Sequence, residues 1–291
     1  MLQPVEMKLN LPMKVANGVV STTTKVWDIL TASYNGDLPA VKRMVNDCPE
    51  LIYAQYNYTP PIHFAVREGH VELVRYLLDN GAYDPEYKTY PFLDSLLTLA
   101  QDQEIVQMLQ AYNKEPKYKG DNGEILYNRS QLEQEFEQAI YKRNIRRVEE
   151  ILKDHPEYAL DETFFWGEGV LLFPAKENDQ ELMDLLMSYG AKVPKLLKWA
   201  QFYYFERYDS AVYLMEHGMD ANTMSWHHVT LLHDMAQKGN LEKAALLIEH
   251  GANINAVDEE YRLTPLGMAV RWGHREMIEY LLQKGTGQRN Q

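Results

Sequence analysis

The chain has 291 residues, 45% of them apolar and 24% charged, which excludes a disordered chain and fits two domains or one long repeat array. Its 29 lysines and arginines face 42 acidic residues, and a net charge of −13 excludes nucleic-acid binding through a general phosphate-neutralising surface. The single cysteine, Cys48, excludes an internal disulfide, and no run approaches the roughly 18 apolar residues of a membrane helix. Pro4, Lys8, Pro12 and Lys14 break up any signal-peptide core, so the expectation is a soluble, cytoplasmic chain.

In chain order, residues 1–25 come first. Val5, Met7, Leu9, Leu11, Met13 and Val15 alternate with mostly polar neighbours, a period of two that predicts extended chain. Asn17-Gly18 is a hairpin signal, so this segment reads as a short extended or β-hairpin-like arm, either a cap or a strand offered to a partner's sheet edge. At residues 60–84, "PPIHFAVREGHVELVRYLLDNGAYD", two prolines open a short helix with Ile62, Ala65 and Val66 on one side. Gly69 ends it. A second helix from about Val71 to Asn80 places Leu73, Val74, Leu77 and Leu78 on one face and Glu72, Arg75 and Asp79 on the other. Two such helices cannot bury enough surface alone and require neighbours of the same shape.

Those neighbours follow. Residues 173–193, 211–222, 230–255 and 264–286 repeat all or half of the same order. Their closing glycines, Gly190, Gly218, Gly251 and Gly285, are 28, 33 and 34 residues apart. Thr230-Leu231-Leu232-His233, Thr264-Pro265-Leu266 and Pro61-Ile62-His63-Phe64-Ala65, with Gly69-His70 and Gly273-His274 as inter-helix turns, make the pattern resemble the ankyrin repeat. Gly267 stands where that family has histidine, and Pro174 where alanine is usual. A stretch from Ala32 aligns with one from Ala139 at a constant offset of 107 residues, from Tyr34/Tyr141 to Pro49/Pro156, which suggests duplication of a three-repeat block. The expected fold is an all-α, ankyrin-like solenoid of about eight repeats, beginning near Trp27, Tyr58, Tyr90, Ser130, Gly169, Val193, Thr230 and Thr264. Ser130 and Glu133 form a capping-box pair that fixes one helix start. The expected organisation is an arm (1–25), a first block of three repeats (26–112), an inserted loop (113–129) with a turn at Asn122-Gly123, a second block of five repeats (130–285) and a polar tail (286–291).

The resemblance implies binding through the finger-like turns between repeats and the exposed side of each first helix. The fingers here are aromatic: "QYNY" (55–58), "EYKTY" (86–90), "DETFFWGEG" (161–169), "SWHH" (225–228) and "EEYR" (259–262). The candidates for partner binding are Tyr56, Tyr58, Tyr90, Phe165, Trp166, Trp226, His227, Tyr261 and Arg262. Tyr204, Arg271 and Trp272 join them from the positions just before inter-helix turns, which line the concave side in this family. His63 and His233 occupy the family's signature histidine, a structural position. His227 and His228 are adjacent and no cysteine accompanies them, so no metal site is expected. No nucleophile elbow, phosphate loop or zinc-protease motif appears, and no enzyme activity or cofactor is expected. The expected function is binding of another protein, one with a basic surface given the acidic balance, and neither nucleic acid nor a membrane. The alternatives are a carbohydrate or small-molecule site among the aromatics, or a regulatory module for a separate enzyme.

Overall fold

The computed structural model describes residues 1–115, 117–118, 123–198 and 203–288. It divides into two compact units, one spanning Glu6–Asn128 and the other running from Arg129 onward and including Met1–Val5. The first contains a small hairpin and three helix pairs. Strands β1 (Pro12–Lys14) and β2 (Val20–Thr22) pair antiparallel around Asn17 and Gly18, both in the left-handed region at φ 53° and 77°. Val5–Lys8 form a 3-10 turn where the alternating pattern predicted extended chain. The reason is local: Glu6 and Met7 are both buried, which successive residues of a strand cannot be on one face but a helical turn permits. The far edge of β1 is occupied as well. Lys14 N–H donates to the Glu124 carbonyl and Leu126 N–H to that of Pro12, so residues 124–126 run beside the hairpin. Asn122, half of the turn expected in this segment, lies outside the described residues.

The helix pairs of this unit are α1 (Thr23–Tyr34) with α2 (Leu38–Asp47), α3 (Pro61–Arg67) with α4 (Val71–Asp79), and α5 (Leu96–Leu99) with α6 (Gln103–Ala111). Helix α4 buries Leu73, Val74, Leu77 and Leu78, each contributing about 1.5–3 kcal/mol of hydrophobic stabilisation. The second unit continues with α7 (Gln131–Tyr141) and α8 (Ile145–Asp154), then α9 (Leu172–Glu177) and α10 (Gln180–Ser188). Helix α11 (Tyr208–Glu216) is the second helix of the next repeat, whose preceding residues 199–202 are not described. The pairs α12 (Leu231–Lys238) with α13 (Leu241–Glu249) and α14 (Pro265–Trp272) with α15 (Arg275–Gln288) complete the array. These helices follow the eight expected repeats. Gly285 lies inside α15 rather than capping it, so the last helix is longer than the glycine spacing predicted. In the shortened repeat, β3 (Leu196–Leu197) pairs in parallel with β4 (Met224–Ser225).

The helix starts are set by side chains. Ser130 and Thr230 form capping boxes with Glu133 and His233, and Thr264 accepts from Gly267 N–H, each cap adding about 1 kcal/mol. Second helices are capped by Asp37, Asn144, Asp179 and Asn240. Where histidine replaces that cap, it reaches back one repeat. His70 Nε2 donates to the Tyr34 carbonyl at 2.8 Å and His274 Nε2 to that of Gln237 at 2.6 Å. Both rings lie against a glycine of the previous turn: a Cβ on Gly36 would stand 2.6 Å from His70 Nδ1, and one on Gly239 2.7 Å from His274 Nδ1. Both glycines also have positive φ, 71° and 66°. Ser210 Oγ makes the corresponding bond to the Ala175 carbonyl at 2.6 Å.

His233 is buried beneath the last two repeats. Its Nε2 donates to the Leu263 carbonyl at 3.0 Å, while Nδ1 accepts from Thr230, so the neutral ring is fully used. Burial pushes its pKa from 6.5 down to about 4.

Gly239→Ala is expected to cost about 2 kcal/mol in urea unfolding, from the left-handed backbone and the His274 contact together. The double variant with His274→Ala should lose less than the sum of the two single variants. Because the folded His233 resists a proton that the unfolded chain accepts, its stabilisation is present above pH 6.5 and is lost as pH falls through 6.5 to about 4. The loss amounts to about 3 kcal/mol, and His233→Gln should flatten the pH dependence of unfolding in that window.

Candidate partner-binding surfaces

In the first unit, the finger at residues 55–58 closes as a two-residue turn. Tyr56 and Thr59 exchange backbone hydrogen bonds, and Asn57 and Tyr58 are both left-handed, at φ 50° and 61°. That turn separates two tyrosines that a simple strand would place on one face. Tyr56 is wholly buried, and its hydroxyl donates to the Glu6 carboxylate at 2.8 Å. Tyr58 is 43% exposed and lies against the half-buried Tyr90, ring centroids 5.6 Å apart and tilted by 35°. His63, one of the signature histidines, bonds the Tyr87 hydroxyl at 3.1 Å.

In the second unit, the finger at 161–169 is organised by Asp161, which accepts from Thr163 N–H and Oγ, and by Arg129, which donates to both residues. Phe165 and Trp166 follow with φ 50° and 63°. Phe164 and Phe165 are buried, whereas Trp166 is 61% exposed. Two charged groups hold this turn: Glu137 Oε1 accepts from Phe165 N–H at 3.2 Å, and Lys198 Nζ donates to the Trp166 carbonyl at 2.7 Å. Tyr204 is wholly buried with its hydroxyl donating to the Glu168 carbonyl at 2.7 Å, and burial raises its phenol pKa well above the usual value.

The finger at 225–228 also turns inward. Trp226 is 2% exposed, and its carbonyl accepts from Leu2 N–H at 3.1 Å. His227 is buried, with Nδ1 2.7 Å from Glu260 Oε2. The last finger points out. Buried Asp258 accepts from the N–H groups of Tyr261 and Leu263 at 2.7 and 2.8 Å, and burial raises its carboxyl pKa despite those bonds. Tyr261 packs edge-on against Trp272, centroids 5.6 Å apart at 75°. The Arg271 guanidinium lies 4.2 Å from the Tyr261 ring and 5.1 Å from that of Trp272. Arg262 and Arg271 are exposed and Tyr261 and Trp272 half-buried.

Of the twelve candidates, Tyr56, Phe165, Tyr204, Trp226 and His227 are therefore interior side chains. They fill their units and satisfy internal hydrogen bonds rather than presenting a surface. Tyr58 with Tyr90 forms one exposed group, and Tyr261, Arg262, Arg271 and Trp272 another. Trp166 forms a third with two residues that the fingers alone do not reveal. Tyr141 is 63% exposed and packs edge-on against half-buried Phe173, centroids 5.0 Å apart, and Trp166 approaches the same ring at 6.3 Å. Tyr141 was legible: it ends its repeat's first helix just before the inter-helix turn, as Trp272 does. Two clefts, of about 250 and 130 Å³, are lined by other residues, among them Arg75, Met108 and Tyr112 in one and Leu160, Val170 and Lys192 in the other.

Stacked helix pairs with projecting turns define a repeat protein. The chain carries ankyrin repeats. A family model of three ankyrin repeats matches residues 29–120, and one of many ankyrin repeats matches 232–282. It is similar to the Mus musculus protein fem-1 homolog A-like, 39% identical over 74 residues that make up 25% of this chain and 11% of the relative. It is likewise 40% identical over 74 residues to Homo sapiens protein fem-1 homolog A, with the same coverage. The Mus musculus palmitoyltransferase ZDHHC13 is 36% identical over 91 residues, 31% of this chain and 14% of the relative. The matched segments thus span only about a tenth to a seventh of these relatives' length. Ankyrin repeats mediate protein–protein interaction. Among the described residues, no helix is long and apolar enough to cross a membrane.

Trp166→Gly is expected to change unfolding stability by no more than about 1 kcal/mol, because relief of the left-handed strain offsets the lost ring contacts. Trp226→Ala should cost about 3–5 kcal/mol, as for any buried indole. Paired urea titrations separate the outward finger from the inward one.

Proposed function

We propose that the protein is a non-catalytic binding module that grips another protein through the aromatic and arginine side chains left exposed on its fingers and first helices. The observation that carries this reading is the Tyr261–Arg271–Trp272 cluster, an exposed guanidinium lying over two aromatic rings that themselves meet edge-on. Tyrosine, tryptophan and arginine dominate binding energy at protein interfaces, and stacking orders these three before any partner arrives. Tyr58 with Tyr90 offers a second such contact, and Trp166 a third. The overall charge of −13 favours a partner with basic residues by steering its approach, and the cluster itself supplies local positive charge for an acidic contact at its edge.

The test is retention of proteins from the source cell's lysate by the wild type and by a Tyr58→Ala/Tyr261→Ala/Trp272→Ala variant with the same circular dichroism and melting. A protein held by the wild type and lost by the variant is the expected result, with affinity falling at least tenfold when measured on the purified pair. Equal retention by both chains would move the contact away from the exposed aromatics. Turnover of any substrate by the isolated chain would overturn the non-catalytic reading.

A further inference from the structure

A second feature of the long chain segment 137–177 goes further than a general aromatic surface. Phe165 and Trp166 are consecutive bulky residues held left-handed, a conformation that disfavours any side chain with a Cβ. Gly167 and Gly169 show that the sequence places glycine nearby where it is needed, yet it keeps tryptophan at the strained, outward position. Strain of this kind persists when surrounding groups over-determine it, and here Glu137 and Lys198 bind the two backbone groups of the turn. The result is a tryptophan projected into solvent on a fixed support.

Its surroundings define what it can hold. Phe173 forms the floor, with Tyr141 inclined to it by 88° and Trp166 by 64°, so three rings in three orientations meet at one place. Two of the rings also carry a glutamate four residues away: Glu137 before Tyr141 and Glu177 after Phe173. On α7 and α9 that spacing puts carboxylate and ring on one helix face. The basic groups in and around this segment differ in use, and Arg143 is ion-paired with Asp179 and Glu181. Lys198 is engaged with the Trp166 carbonyl, Lys176 lies 5.5 Å over Tyr203, and Lys142 follows Tyr141 on the exposed turn. An aromatic notch flanked by carboxylates on two helices is complementary to a cation with a flat or apolar body, since ring faces and carboxylates both attract positive charge.

We infer that Tyr141, Trp166 and Phe173 form a receptor for an arginine side chain of a partner protein, with Glu137 and Glu177 supplying the charge. The inference rests on the reading that the exposed aromatics bind a protein, and it names the side chain that one of those surfaces takes. A neutral, purely apolar side chain is the competing occupant.

The experiment uses the full chain labelled with nitrogen-15, following the Trp166 indole N–H, assigned by its absence in Trp166→Phe. Three blocked peptides are titrated: acetyl-Gly-Arg-Gly-amide, its citrulline analogue, which keeps the shape without the charge, and its norleucine analogue. The Arg peptide is expected to shift the Trp166 signal saturably and to bind at least fivefold more tightly than the citrulline peptide. Tyr141→Ala should weaken the Arg peptide by about fivefold. Glu137→Gln/Glu177→Gln, which leaves the rings and the Phe165 N–H acceptor in place, should weaken the Arg peptide several-fold and leave the citrulline peptide unchanged. Equal binding of norleucine and Arg peptides would overturn the cation assignment and leave an apolar docking site. No shift with any peptide would overturn the receptor itself. Neither result touches the Tyr58/Tyr261/Trp272 retention assay, so failure here and failure of the protein-binding reading are told apart.

Discussion

One hydrogen bond recurs between neighbouring repeats at three junctions, and it sets the spacing of the turns there. A side chain at the start of a second helix donates to a carbonyl near the end of the preceding repeat's first helix, from His70 to Tyr34, from Ser210 to Ala175 and from His274 to Gln237. The last carbonyls of a helix have no partner within it, so the bond removes a cost that each short helix carries. It also fixes spacing, because the imidazole fills the space that the previous repeat's glycine leaves empty. Arg143 to Asp179 ties two further repeats at the same level by charge instead of by a carbonyl. Helices of about nine residues are not stable in isolation, and this lattice of nearest-neighbour ties is what makes them hold their turns in place.

With the turns fixed, each finger becomes a local decision about which side chain goes in and which goes out. The last finger shows the logic. Asp258 is buried and gathers two backbone N–H groups, which turns the chain so that Tyr261 meets Trp272 and Arg271 on the outside. At 225–228 the opposite choice is made: the Trp226 indole is interior and His227 is held by Glu260. The surface chemistry of the protein follows from these choices more than from composition.

The repeats themselves were legible because their signals are backbone signals. Gly36, Gly69, Gly239 and Gly273 mark left-handed turns, and Ser130, Thr230 and Thr264 mark helix starts, so periodicity and capping agree. The direction of each aromatic was not legible. Tyr56 and Tyr58 are two residues apart, and only the paired left-handed residues at 57 and 58 separate buried from exposed. Nothing local distinguishes a non-glycine residue that will adopt that conformation. Trp226 was opaque for another reason: its backbone is held by Leu2, more than two hundred residues away. The 3-10 turn at Val5–Lys8 was missed because a short run of alternating residues also fits a single helical turn that buries a neighbouring pair.

The left-handed finger tips separate two pressures that act on the same codons. Selection for folding alone would drift positions 58, 166 and 262 toward glycine or asparagine, which occupy that region of backbone space without penalty. A redesign guided by thermal stability, or by averaging many repeat sequences, would make the same replacements and report success. Its product would keep every helix and lose exposed side chains such as Tyr58, Trp166 and Arg262. A left-handed position that keeps a large exposed side chain is therefore one where backbone stability and surface chemistry pull apart.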